Sequence, residues 1–283
     1  MLPNSNADMT VRRLRWVAAA TIVSTVIVTL AGQPASFWHN PAMAMRGDGL
    51  SINNPTNHSF DFFIGSGWWP YLVASAAYLL ILLWLMSSLP RRLAVVIAFT
   101  AIFCNFYSAS NWLAVHWGLG LQGPFVYGLA LAAAIVFLVF DRHGGPGTLG
   151  GLRATMVFAI FTDMAVTVLG QPTGYLQHSQ LVHEGNPLSR FFLERGWYSF
   201  IAEQILIAAF FYWLTGSLAR RWGLIIACCY ILAGFTGASN WLFFEWRLGM
   251  PAVAGLGFLL SVLVMMSIFA TLARSPPAEA GER

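Results

Sequence analysis

Eight apolar stretches dominate this 283-residue chain, approximately Trp16–Ala31, Trp68–Leu85, Leu93–Leu113, Leu119–Phe140, Leu152–Leu169, Trp197–Leu214, Trp222–Phe244 and Pro251–Leu272. A helix crossing a hydrocarbon core of roughly 30 Å needs about 20 predominantly apolar residues, because a backbone amide left unpaired in lipid costs several kcal/mol. With 58% hydrophobic and only 9% charged residues, the chain is too apolar for a soluble domain. The predicted fold class is all-α, a polytopic membrane bundle of eight transmembrane helices with no soluble domain left over.

The basic residues are all arginine, and they fall unevenly between alternate loops. Arg12, Arg13 and Arg15 precede the first span, Arg91 and Arg92 follow the second, and Arg142 and Arg153 flank the fourth-to-fifth connection. Arg220 and Arg221 follow the sixth span and Arg274 the eighth, whereas the opposite loops hold only Arg46, Arg190, Arg195 and Arg247. The positive-inside rule then places both termini in the cytoplasm, and compact loops with this bias suit a bacterial inner membrane. The net charge of +4 describes topology, so no nucleic-acid partner is implied.

Arg12-Arg13-Leu-Arg15 ahead of a modest apolar run also has the form of a signal peptide. An internal repeat argues for a retained helix instead. Val28-Thr-Leu-Ala-Gly-Gln33-Pro34 matches Val166-Thr-Val-Leu-Gly-Gln171-Pro172, and Asn54-Pro55 with Gly67-Trp68 matches Asn186-Pro187 with Gly196-Trp197. Pro90-Arg91-Arg92 matches Ala219-Arg220-Arg221, and Ser108-Ala-Ser-Asn111-Trp112 matches Gly237-Ala-Ser-Asn240-Trp241. Matches in the same order predict two tandem parallel four-helix repeats, residues 15–143 and 152–273, between cytoplasmic tails 1–14 and 274–283, of which Met1–Thr10 and Ser275–Arg283 are expected to be disordered. An even number of spans per repeat relates the halves by an axis along the membrane normal.

The shared polar motifs fall on the non-cytoplasmic side, and each has a structural reading beside a ligand-binding one. Asn54-Pro55 and Asn186-Pro187 suit helix N-termini, since asparagine caps and proline fits the first turn. The segment 187–194 is spaced for a short interfacial helix. Gly32-Gln33-Pro34 and Gly170-Gln171-Pro172 suit helix ends, with Gln33 and Gln171 also able to bond across an interface. Asn111 and Asn240 suit interhelical hydrogen bonds worth about 1 kcal/mol, beside tryptophans placed for an interfacial belt.

The carboxylates point further. Asp163 lies eight residues before Gln171 and Glu203 six after Trp197, which at 1.5 Å per residue puts them about 12 and 9 Å below one face on consecutive helices. Carboxylates at hydrocarbon depth usually mark a substrate, ion or proton path, and two without a nearby arginine can share a proton. The repeat places Thr25 and Ala74 at the equivalent positions, so the acids belong to one half, with Asn105 and Tyr107 at a comparable depth.

His39, His58, His116, His178 and His183 also fall on the non-cytoplasmic side, and His143 alone lies elsewhere. His178, His183 and Glu184 supply donors suited to a divalent metal such as zinc, or are ordinary loop residues; their spacing is not that of a zinc-protease helix. Cys104, Cys228 and Cys229 lie within spans as packing residues, and no phosphate loop, nucleophile elbow or dinucleotide fingerprint is present.

Thr162-Asp163, Thr167 and Glu184-Gly-Asn186-Pro187-Leu188, in that order, resemble a family of small bacterial and archaeal membrane proteins with an intramembrane aspartate and a Glu-x-Asn-Pro-Leu motif, whose activity is uncharacterised. The resemblance covers under a fifth of the chain and implies that Asp163, Glu184 and Asn186 belong to one site. Two functions follow from the residues: binding or transport of a small polar, cationic or amphipathic solute, and a metal-dependent enzyme acting on a lipid-borne substrate. A third is a structural subunit packed against membrane-protein partners.

Overall fold

The computed structural model describes residues 5–40, 66–140, 146–184 and 186–272. Nine α-helices form among these residues and no strand does: α1 Ser5–Ala31, α2 Trp68–Ser88, α3 Arg91–Asn111, α4 Gln122–Ile135, α5 Pro146–Leu169, α6 Pro187–Leu193, α7 Trp197–Ser217, α8 Arg220–Asn240 and α9 Gly249–Leu272. All but the short α6 belong to eight segments long and apolar enough to cross a bilayer, so the chain is an all-α integral membrane protein.

The punctuation of the sequence sets most helix ends. Pro90 has no amide hydrogen to continue α2, and α3 starts one residue later. Gly67 and Gly196 precede α2 and α7 at φ 122° and 115°, a region closed to residues with a Cβ. Asn186 caps α6 by accepting the Leu188 amide, with Pro187 in the first turn. The matching Asn54-Pro55, and Arg46, His58, Arg142, His143 and Arg274, lie outside the described residues.

Three boundaries differ from the sequence reading. The expected disordered tail is helical from Ser5, and Val11 and Leu14 are buried, so α1 continues well before residue 15. The fourth span starts at Gln122 because Leu119 and Gly120 close the preceding turn. The third and seventh helices run on without a break as five-residue π segments, Trp112–His116 and Trp241–Glu245.

Within each half the first and third helices pack together, α1 on α3 and α5 on α8, and the second helix, α2 or α7, flanks both. The fourth helices bridge the halves: α9 packs on α3 of the first half as well as on α5 of its own, and α4 on α8 of the second half as well as on α3 of its own. At the centre the rings of Phe103 and Phe235 lie 5.0 Å apart, and Thr100 Oγ1 donates to Ser261 Oγ at 3.1 Å.

The two halves carry the same local devices. A Cβ on Gly32 would stand 2.8 Å from Trp117 and 3.0 Å from Trp112, and one on Gly170 would stand 2.6 Å from both Trp241 and Trp246. Trp112 and Trp241 are therefore buried helix-packing residues, not part of the expected lipid-facing belt. Beyond each Gln-Pro, an aromatic turns inward: Phe37 against Tyr71, and Tyr175 against Phe200. At the other end of the bundle Arg15 donates to Met86 O at 2.7 Å and Arg153 to Tyr212 O at 2.5 Å, each satisfying a carbonyl near the end of the second helix of its half.

Candidate functional site

Glycine at positions 234 and 237 lets α8 approach α5. A Cβ on Gly234 would meet the Ala159 backbone at 3.0 Å, and one on Gly237 would meet the Asp163 carboxylate at 2.5 Å. The first half has Asn105 and Ser108 at these positions and the uncharged Thr25 in place of Asp163. Asp163 is half-buried, with the Thr167 hydroxyl in hydrogen-bonding reach and the carboxylates of Glu184 and Glu203 as its electrostatic neighbours. Glu203, buried on α7, accepts a 2.8 Å bond from Gln204 Nε2.

These groups face a cavity of about 740 Å³ bounded by α4, α5, α7, α8 and the segment 183–189. Among the described residues its lining carries the carboxylates Asp163, Glu184, Glu203 and Glu245, one histidine, His183, and no arginine. Arg190 and Arg195 lie close in sequence but are engaged on α6: Arg190 pairs with Glu194 at 2.9 Å, and Arg195 stacks on Phe191 and donates to its carbonyl. Asn240 also lines the cavity, and its Oδ1, closed off from solvent, accepts no hydrogen bond among the described residues. Cys229, Tyr230, Ile160 and Ile207 form the apolar deep end.

The segment over the mouth is held by side chains. Gln171 grips the backbone of His183 from both sides, accepting its amide at 2.8 Å and donating to its carbonyl at 3.1 Å. His183 Nδ1 in turn lies 3.2 Å from Glu245 Oε2, and Glu184 accepts the Asn186 amide at 2.7 Å. Tyr175 anchors the earlier part of the loop by donating to Leu193 O at 2.7 Å, and burial raises its phenol above the usual tyrosine range.

Compared with protein-family models, curated proteins and solved structures, the chain matches none.

The fold brings Asp163, Glu184, Asn186, Glu203 and Asn240 into one cavity. Gln171 sits behind it as the loop clamp. Gln33, Asn105 and Asn111 do not line it. Asn105 bonds to Tyr78 OH and Ala101 O, while its carbonyl accepts Thr25, all within the first half. Tyr107 is buried between Phe235 and Phe243, not in a polar pocket. His178, His183 and Glu184 do not converge, since no three metal-ligating side chains do so among the described residues. The nearest carboxylate partner of His183 is Glu245, from a different helix. Cys104, Cys228 and Cys229 are free thiols in the packed interior.

Sequence reasoning missed Gln204, Glu245 and the glycines of α8. The glycines had a signal, because they replace Asn105 and Ser108 in the half where Asp163 replaces Thr25. Glu245 had a fainter one, standing where the first half has His116.

Proposed function

We propose that this protein binds a small cationic or amphipathic solute in the acidic cavity, from the non-cytoplasmic face of a bacterial inner membrane, as a binding or transport protein. The observation that carries the reading is the cavity itself: among the described residues, four carboxylates and no arginine around about 740 Å³. Ionised carboxylates at this depth are costly until a cation or a proton offsets them, and a cationic ligand does so while gaining their attraction. The volume falls in the range of small-molecule pockets, roughly 300–1,000 Å³, and exceeds what a bare ion needs. The positive-inside rule supports the orientation, since Arg91, Arg92, Arg220 and Arg221 start helices at the end of the bundle remote from the mouth.

The test is equilibrium binding of butylamine and tetraethylammonium to the detergent-purified protein. Saturable binding of the cations, with no binding of butanol, is expected. An Asp163→Asn, Glu203→Gln double variant with an unchanged melting temperature should lose at least tenfold in affinity. Equal affinity for butanol, or undiminished binding in the double variant, overturns the reading.

A further inference from the structure

We propose that the ligand is membrane-borne: an amphiphile with an amine or other cationic head that enters sideways, between α4 and α7, from the leaflet on the mouth side. The inference rests on the acidic-site reading above and adds the ligand's second half and its route.

Three observations carry it. Helices α4 and α7 both pack closely on α8, but among the described residues they approach one another slightly at most, so the wall they share is the thinly packed one. Both helices nevertheless line the cavity, α4 through Leu121, Pro124, Phe125 and Gly128, and α7 through Phe200, Glu203, Gln204 and Ile207. Phe125 is 60% exposed, so one ring faces the cavity and the surrounding lipid together. This thinly packed wall, with Phe125 on it, is where the cavity comes nearest to the hydrocarbon.

The second observation is a polarity gradient. Glu245, His183 and Glu184 stand at the mouth, Asp163, Glu203 and Gln204 lie below them, and Ile160, Ile207, Cys229 and Tyr230 form the deep end. Tyr230 is ten residues before Asn240 on α8, about 15 Å further down by the helical rise, near the bilayer midplane. The charged groups all stand in the upper half, among apolar residues such as Leu188 and Trp241, and the deep end carries none, which is the charge profile of a lipid lying in that leaflet. A soluble cation would leave the lower half unfilled.

The third is Asn240 on the same lining, whose Oδ1, closed off from solvent, accepts no hydrogen bond among the described residues and becomes an acceptor for an ammonium or other N–H head group once the amide turns toward the cavity. An amphiphile seated with its head among Asp163, Glu203 and Asn240, and its tail leaving past Ile207 and Phe125, satisfies the charge, the acceptor and the apolar floor at once.

The experiment compares dodecylamine with butylamine on the full chain in lipid nanodiscs, using wild type, Glu203→Gln and Ile207→Trp. The tryptophan obstructs the thinly packed wall one turn below Glu203. Expected are a loss of at least tenfold for both amines in Glu203→Gln, and a loss for dodecylamine in Ile207→Trp at least tenfold larger than the loss for butylamine. Equal losses for the two amines in Ile207→Trp, or none, overturn lateral entry while leaving the acidic site standing. Undiminished binding of both in Glu203→Gln removes the site itself. A measurement on the wild type stands apart from any folding defect: dodecylamine carrying a terminal diazirine should label α4 between residues 121 and 128 and α7 between 203 and 210. Labelling confined to other helices overturns the proposal.

Discussion

The carboxylate of Asp163 rests against the bare backbone of Gly237, occupying the place where a side chain on residue 237 would begin: a Cβ there would stand 2.5 Å from Oδ1. The first half has Thr25 and Ser108 at the equivalent positions, and there Thr25 donates to the Asn105 backbone carbonyl. Acid and glycine are thus a matched pair, and α8 holds the acid in one orientation toward the cavity.

Gly237→Ala should therefore displace Asp163, costing about 1–3 kcal/mol in stability and weakening cation binding. Gly237→Ser combined with Asp163→Thr restores the first-half pairing and should recover at least half of the lost stability without recovering binding. Thermal melts of the two single variants and the double variant, analysed as a cycle, check this; strict additivity would show that the residues do not interact.

Gln171→Met removes both hydrogen bonds that hold the backbone of His183. The loss should be about 1–3 kcal/mol, since two backbone groups are left without partners, and hydrogen exchange at residues 178–184 should speed up. Glu245→Gln breaks only the ion pair with His183, whose side chains are 65% and 35% exposed, and should cost less than about 1 kcal/mol. Protection of the loop unaffected by Gln171→Met would mean that Tyr175 alone anchors it.

Tyr175→Phe keeps the buried ring and loses its bond to the Leu193 carbonyl. A destabilisation of about 1 kcal/mol is expected, read as a lower melting temperature, with the ring packing on Phe200 intact. The first half has Phe37 at the equivalent place, so Phe37→Tyr tests whether that turn offers a comparable acceptor.

Arg247 adopts φ 53°, left-handed backbone where Gly118 stands in the first half at φ 64°. Arg247→Gly should raise stability by up to about 1 kcal/mol by relieving the clash of Cβ with the following carbonyl. A fall in melting temperature would instead assign the arginine side chain a stabilising contact.

The sequence alone determined the number and approximate position of the membrane spans, because apolar length is a property of one segment and the bilayer supplies a fixed ruler. It also determined depth: Asp163 and Glu203 meet in one cavity because each stands a few residues from a recognisable helix end. The cap at Asn186 followed for the same reason, being local to four residues. Azimuth was not legible. Nothing within α3 says that the Asn105 side chain turns to Tyr78, or within α8 that Asn240 lines the same cavity as the acids, because side-chain direction around a helix acquires meaning only against its neighbours. The hydrophobic pattern gives little help, since these helices are apolar on both their lipid-facing and protein-facing sides. Only the tertiary structure decided that α4 also packs on the other half and walls its cavity, that Glu245 reaches His183, and that Gln171 holds a loop. Each of these joins residues from different helices or from opposite ends of a loop, and packing alone fixes such distances.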